Sequence, residues 1–124
     1  MRHPRWDRPG LLSPANKVYV QLVRTLGAHG VIRIGGNTAD YANFSPNATA
    51  VSSPKGTVVN DAVLKDLGSF LEATGWKLIW ALDLGKGTVA DAIAEAKIIQ
   101  SIAGERLLAF EIGNEPDLFA RAKH

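Results

Sequence analysis

Three short, nearly continuous apolar runs, each set between segments of helical periodicity, constrain this chain more than any other feature. They are Val31 to Ile34, Trp76 to Leu82 and Leu107 to Ile112. A strand with one wet face alternates apolar and polar residues, whereas a strand covered on both faces has no such need. Runs of this kind between amphipathic helices indicate an α/β chain with a parallel sheet covered by helices. Two architectures satisfy the pattern: an open doubly wound sheet and a (β/α)₈ barrel.

The helical segments carry their own punctuation. Ser13-Pro14 has the chemistry of a helix start, a hydroxyl cap followed by proline at the first helical position. The helix expected there places Tyr19, Leu22, Val23 and Leu26 on its inner face, with Gly27 and Gly30 ending it. Asn60 is the expected cap of a second helix, with Val63, Leu64, Leu67, Phe70 and Leu71 facing inward and Gly75 at its end. Thr88 is the expected cap of a third, with Asp91 in a capping-box position. Its core face is expected to hold Val89, Ala92, Ile93, Ala96, Ile99 and Ile102, and Gly104 ends it. Residues 36–57 are polar and read as one long loop, a length that in compact domains marks function or disorder. Residues 1–11 show no periodicity and are expected to be a disordered or misassigned leader. Residues 12–124 then form a single α/β unit, with no dividing linker and no repeat beyond the βα alternation.

Composition removes several classes of function. With 124 residues, 46% of them hydrophobic and 21% charged, the chain can bury a core of its own. Its net charge of +2 is small and the basic residues are dispersed. Their densest group is Arg2, His3, Arg5 and Arg8, a solvated tail without the aromatic-interleaved basic face of a nucleic-acid binder. The absence of cysteine excludes disulfides and thiolate metal sites. No stretch approaches the ~20 apolar residues that cross a bilayer, and the N-terminus lacks the pattern of a signal peptide. No His, Asp and Glu grouping has metal-ligand spacing, so neither metal nor cofactor is expected. Gly35-Gly36 opens no phosphate-binding fingerprint, since no third glycine and no Lys-Ser or Lys-Thr pair follows at the required place. Asn47-Ala48-Thr49 fits a glycosylation sequon, a pattern common by chance.

The remaining polar residues gather at one end of the expected sheet. Arg33 lies in the first strand, with Asn37, Thr38 and Asp40 in the loop after it. Asp83 ends the second strand, and Asn114 and Glu115 follow the third. In parallel α/β folds the active site is built at these C-terminal strand ends. Glycoside hydrolysis needs two carboxyl groups, one donating a proton to the leaving oxygen. Glu115 is a candidate for that donor, its pKa raised where the site is partly desolvated. Asn114 can donate to a sugar hydroxyl or orient the acid, and Pro116 fixes the backbone beyond it. The plainer alternative is a polar turn. Arg33 in an apolar strand needs a partner, because a buried unpaired charge is costly. Glu111 is the evident one, in a structural role, and a carboxylate outside this chain is the other. Asp83 either contacts substrate or caps the turn before Gly85 and Gly87. His29 lies at the opposite end of its strand and reads as structural.

Two motifs together carry a family resemblance. The run from Val31 to Asp40 (Val-Ile-Arg-Ile-Gly-Gly-Asn-Thr-Ala-Asp) and the run from Ala109 to Asp117 (Ala-Phe-Glu-Ile-Gly-Asn-Glu-Pro-Asp) resemble glycoside hydrolase family 79, which contains β-glucuronidases and heparanases. Asn-Glu-Pro at a strand end is shared across the wider clan of retaining hydrolases, and the upstream motif narrows the match. The resemblance runs from about Leu12 to Phe119. It implies part of a (β/α)₈ barrel, about strands two to four with their helices. It implies Glu115 as acid/base, Asn114 contacting the sugar near its 2-hydroxyl, Asp40 binding hydroxyls of the terminal sugar, and Arg33 supporting the nucleophile. Asn37 and Thr38 lie in the same motif. The substrate class implied is a β-glucuronide or related glycoside, without nucleic acid or membrane. The family's nucleophile and its uronate-binding residues lie beyond the matched part, and residues 1–11 do not read as barrel strand one. A whole barrel takes ~250 residues. The expectation is therefore an incomplete barrel, inactive alone, with open sheet edges that favour self-association. Three alternatives stay open: a clan relative acting on neutral sugars, a non-catalytic or sugar-binding remnant, and a small nucleotide-binding domain. Members of the family are often exported, but this chain carries no export signal and its location stays open.

Overall fold

The computed structural model describes residues 10–49, 51–53 and 56–122. The expected leader and the basic group from Arg2 to Arg8 lie outside the described residues, apart from Gly10 and Leu11, which are part of a turn. In chain order the elements are α1 (Lys17–Leu26), β1 (Val31–Ile34), β2 (Ala42–Phe44), β3 (Val51–Ser53), β4 (Gly56–Val59), α2 (Asp61–Thr74), β5 (Lys77–Leu82), α3 (Val89–Ala103), β6 (Leu107–Ile112) and α4 (Phe119–Ala122).

The three apolar runs are β1, β5 and β6. They form one parallel sheet in that order, with Val31 opposite Lys77 and Ile79 opposite Ala109. Side chains alternate across a strand. Ile34, Leu78, Trp80 and Leu82 therefore share one face, where they join a single core with Val20 and Val23 of α1, Leu64, Leu67, Phe70 and Leu71 of α2, and Ile99 of α3. All three long helices thus cover the same side of the sheet. The opposite face carries Arg33 and Glu111. A doubly wound sheet reverses its strand order and has helices on both faces. Among the described residues this sheet advances in one direction and is covered on one face only, as the wall of a barrel is.

Capping agrees with the sequence at two helices and departs from it at one. The Val63 amide donates to Asn60 Oδ1 at 3.0 Å, and the Asp91 amide donates to Thr88 Oγ1 at 3.1 Å. The first helix starts later than Ser13-Pro14 indicates. Residues 10–15 form turns, in which the Ala15 amide donates to Ser13 Oγ at 3.3 Å. The cap is Asn16, whose Oδ1 accepts from the Tyr19 amide at 3.2 Å. Asparagine caps as well as serine does, and here its Nδ2 also holds the Leu11 carbonyl at 3.3 Å.

Three further expectations change. Leu22 and Leu26 of α1 and Val89 and Ile93 of α3 are exposed. The buried line of α1 runs through Val20 and Val23, and that of α3 through Glu95, Ile99 and Ala103. Residues 36–57 are not one loop. They hold a 3₁₀ turn (Ala39–Tyr41) and most of a second small sheet, in which β2 pairs parallel and β3 antiparallel with β4. Backbone pairing joins these short strands, and Val59 and Phe44 fasten them to the main core. Arg33, finally, is half exposed rather than buried.

Candidate active site

The sheet delivers its polar residues to two places. On the uncovered face, Arg33 and Glu111 form a two-pronged ion pair, Nε to Oε2 at 2.8 Å and Nη2 to Oε1 at 2.6 Å. The hydrogen bond it donates to Glu111 is the main reason the Arg33 guanidinium holds its proton more tightly than usual. Gly35 lies beneath the pair. A Cβ there would stand 2.7 Å from Ala81 Cβ and 3.1 Å from Glu111 Oε2, so only glycine leaves room for this arrangement.

The second place is the C-terminal edge, where the loops after β1 and β6 meet. Gly113 has φ +74, the left-handed region that favours glycine, and a Cβ there would fall 2.7 Å from Leu84 Cβ. Its amide donates to the Leu82 carbonyl at 3.1 Å and continues the sheet by one bond. The next amide, that of Asn114, leaves the sheet and donates to Asp40 Oδ1 at 3.3 Å. Asp40 is only 1% exposed. Asn114 Nδ2 reaches Glu115 Oε2 at 3.4 Å, the long limit of a hydrogen bond. Glu115 has φ +49 and ψ +55, the one positive φ outside glycine among the described residues. Its side chain is exposed, so the described residues do not supply the desolvation expected of it.

The structure therefore brings together Asp40, Asn114 and Glu115, and separately Arg33 with Glu111. Asn37 and Thr38 are exposed in the loop between β1 and Asp40. Asp83 turns elsewhere. Its Oδ1 accepts from the Lys86 amide at 2.9 Å, capping the turn through Gly85 to Gly87. It also lines a cavity of about 180 Å³ on the helix side of the sheet, with Phe44, Asp91 and Glu95. The loop carrying Asp83 is tied back to the first loop by Lys86, whose Nζ lies 4.2 Å from the centre of the Tyr41 ring. His29 is exposed between α1 and β1.

Glu95 is the functional-looking group that the sequence reading passed over. It is 7% exposed, and its Oε1 accepts from Trp80 Nε1 at 3.0 Å. Burial pushes its carboxyl up to about 7; the Trp80 bond opposes this and the charge of Asp83 adds to it. Two signals were available. Glu95 falls on the same stripe as Ala92, Ile99 and Ile102, and a buried tryptophan needs an acceptor for its N–H. Among the described residues no group of His, Cys, Asp and Glu is arranged to hold a metal ion, and no helix is long and apolar enough to cross a membrane.

No family model matches the chain. A β-glucuronidase from Aspergillus niger is 32% identical over 133 aligned positions, which take in 91% of this chain and 24% of that protein. In fold, the chain matches the crystal structure of a 4-O-α-L-rhamnosyl-β-D-glucuronidase from Fusarium oxysporum, determined with rhamnosyl-glucuronic acid. The TM-score is 0.67 at 21% identity, and the match covers 86% of this chain and 24% of that one. The chain thus spans about a quarter of the length of the relatives it matches. Over that span it is similar in sequence to a β-glucuronidase, and its α/β fold is that of part of a glycoside hydrolase.

Proposed function

We propose that this chain is the acid/base-bearing part of a retaining β-glucuronidase-like hydrolase, with Glu115 as general acid and then base. The observation that carries the reading is the meeting of Asp40, Asn114 and Glu115 at the C-terminal edge of a parallel sheet. The loops after β1 and β6 come together there although the two strands are not neighbours. Similarity to a β-glucuronidase over nine-tenths of the chain supports the substrate class.

In this reading Glu115 protonates the glycosidic oxygen as the sugar departs to a carboxylate nucleophile, then takes the proton of the water that releases the sugar. That nucleophile lies outside residues 1–124, and the unit formed by residues 12–124 is an incomplete barrel. Asn114 contacts the sugar near its 2-hydroxyl. Asp40 spends one acceptor position on the Asn114 amide and has others for a sugar hydroxyl. Arg33, held by Glu111 on the uncovered face, supports the nucleophile from below. Asn37 and Thr38 are exposed on the substrate side of the first loop. Asp83 serves the turn after β5 and, through it, the Lys86–Tyr41 contact.

The test is hydrolysis of aryl β-glucuronides by the full polypeptide that carries these residues. Replacing Glu115 with Ala is expected to lower kcat/KM, which reports the departure of the leaving group, by about 10²–10⁴-fold where that group needs a proton. The loss should be much smaller for a dinitrophenyl group, which departs as the anion. Equal losses on both substrates would remove Glu115 from the acid role. Failure of the unsubstituted polypeptide to cleave any β-glucuronide would remove the reading itself. The isolated 124-residue chain, without a nucleophile, is expected to show no turnover.

A further inference from the structure

The backbone at Glu115 is unusual enough to need a cause. The left-handed region is unfavourable for a residue other than glycine, and such conformations persist only where the surroundings determine them. Pro116 closes off the ordinary helical region for the residue before it, which leaves Glu115 the extended or the left-handed region. Downstream, the Leu118 amide donates to the Glu115 carbonyl at 2.9 Å. Upstream, the Gly113 amide is spent on Leu82 and the Asn114 amide on Asp40. Asp40 is the one anchor among these that reaches across from another loop. It is itself fixed: the Ala39 amide donates to the Gly36 carbonyl at 2.9 Å, the Tyr41 amide to the Thr38 carbonyl at 3.3 Å, and Lys86 caps the Tyr41 ring.

We propose that Asp40 is a positioning residue for Glu115: by holding the Asn114 amide, its buried carboxylate fixes the turn and so sets the direction in which the Glu115 side chain leaves the sheet. The catalytic value of that direction rests on the function proposed above, whereas the conformational coupling does not. A contact with sugar would use Asp40 only when substrate is present; positioning uses it in the free protein. An acceptor at Oδ1 is sufficient for the task, and the negative charge is not required.

The experiment is nuclear magnetic resonance on the ¹⁵N-labelled 124-residue chain and its Asp40→Asn and Asp40→Ala variants, without ligand. A residue with positive φ gives a strong nuclear Overhauser effect between its own amide and α protons. That signal is expected at Glu115 in the unsubstituted chain and in Asp40→Asn, and is expected to be lost in Asp40→Ala. The Asn114 amide resonance should move much further from its parent position in Asp40→Ala than in Asp40→Asn. The Trp80 indole resonance reports whether each variant is folded. Should Asp40→Ala not fold, Asp40→Ser takes its place with the same expectation, because its hydroxyl is too short to reach the Asn114 amide. A strong Glu115 signal in a folded Ala or Ser variant would overturn the proposal, as would an Asn114 amide indifferent to Asp40. None of these readings involves turnover, so they fail or succeed independently of the glycosidase assignment.

Discussion

At the scale of single residues, the chain keeps a carboxylic acid where a hydrocarbon would be expected. Glu95 ionises near 4.5 when unfolded and near 7 when folded, chiefly because burial penalises its charge. Between those values the folded protein holds a proton that the unfolded chain has released. The stability contributed by this group is therefore whole below about pH 4.5, falls as the pH rises, and is gone above about pH 7. The span corresponds to roughly 3 kcal/mol, taking about 1.4 kcal/mol for each unit. Glu95→Gln keeps an acceptor for the Trp80 indole and cannot ionise. It is expected to match the parent at about pH 5 and to exceed it by ~1–3 kcal/mol at about pH 8, read from urea unfolding midpoints. Parallel pH profiles for the two proteins would contradict the assignment. The site residues divide in the same way between what chemistry announces and what it does not. The partnership of Arg33 with Glu111 was readable because Glu111 is the one acidic residue within β1, β5 and β6. The link from Asp40 to Asn114 was not, because a carboxylate bound to a backbone amide leaves no mark in residue type.

At the scale of elements, the strands and two helix caps were legible because apolar runs and Asn, Thr and Gly punctuation are local signals. The covered side of a helix was less so. Both α1 and α3 carry more apolar residues than one contact line can use, and periodicity does not say which line finds a neighbour. In α1 the neighbour took Val20 and Val23 and left Val18, Leu22 and Leu26 outside. The small sheet of β2, β3 and β4 was illegible because strands of three and four residues are too short to show a period, even where Val59 and Phe44 reach the core. One helix contact permits a sharp prediction. Gly68 sits inside α2, where alanine would ordinarily improve an exposed helix by about 1 kcal/mol. Its absent Cβ would lie 2.4 Å from Ile102 Cγ2 and 3.1 Å from the Ile102 carbonyl oxygen. The side chain can rotate, but the carbonyl cannot, so α2 and α3 would have to separate. Overpacking of this kind costs about 1–3 kcal/mol and outweighs the helical gain. Gly68→Ala should unfold at lower denaturant than the parent, while Ser69→Ala, at the exposed neighbouring position, should not.

For the whole molecule, the decisive fact is a parallel sheet that, among the described residues, has two unpaired edges and one bare face. Val31 on β1 and Leu108 and Ile112 on β6 are large, apolar and exposed, and unpaired strands of this type recruit other strands. We expect the purified 124-residue chain to sediment above its monomer mass of 13.3 kDa as concentration rises. Leu108→Lys together with Ile112→Lys should shift that behaviour to higher concentration. Sedimentation unchanged by both lysines would place the contact elsewhere, with the exposed stripe of α1 as the next place to test. The same topology also governs how the chain reaches its shape. Val31 pairs with Lys77 and Leu78 with Leu107, so no rung of the main sheet can form without closing a long stretch of chain. Helices and the β3–β4 pair can form locally and early, whereas the sheet must wait for distant segments to meet. The turn that carries Glu115 hangs on the last of these strands. Its geometry therefore depends on pairings between segments far apart in the chain, and whatever loosens the main sheet also releases the turn that aims the acid.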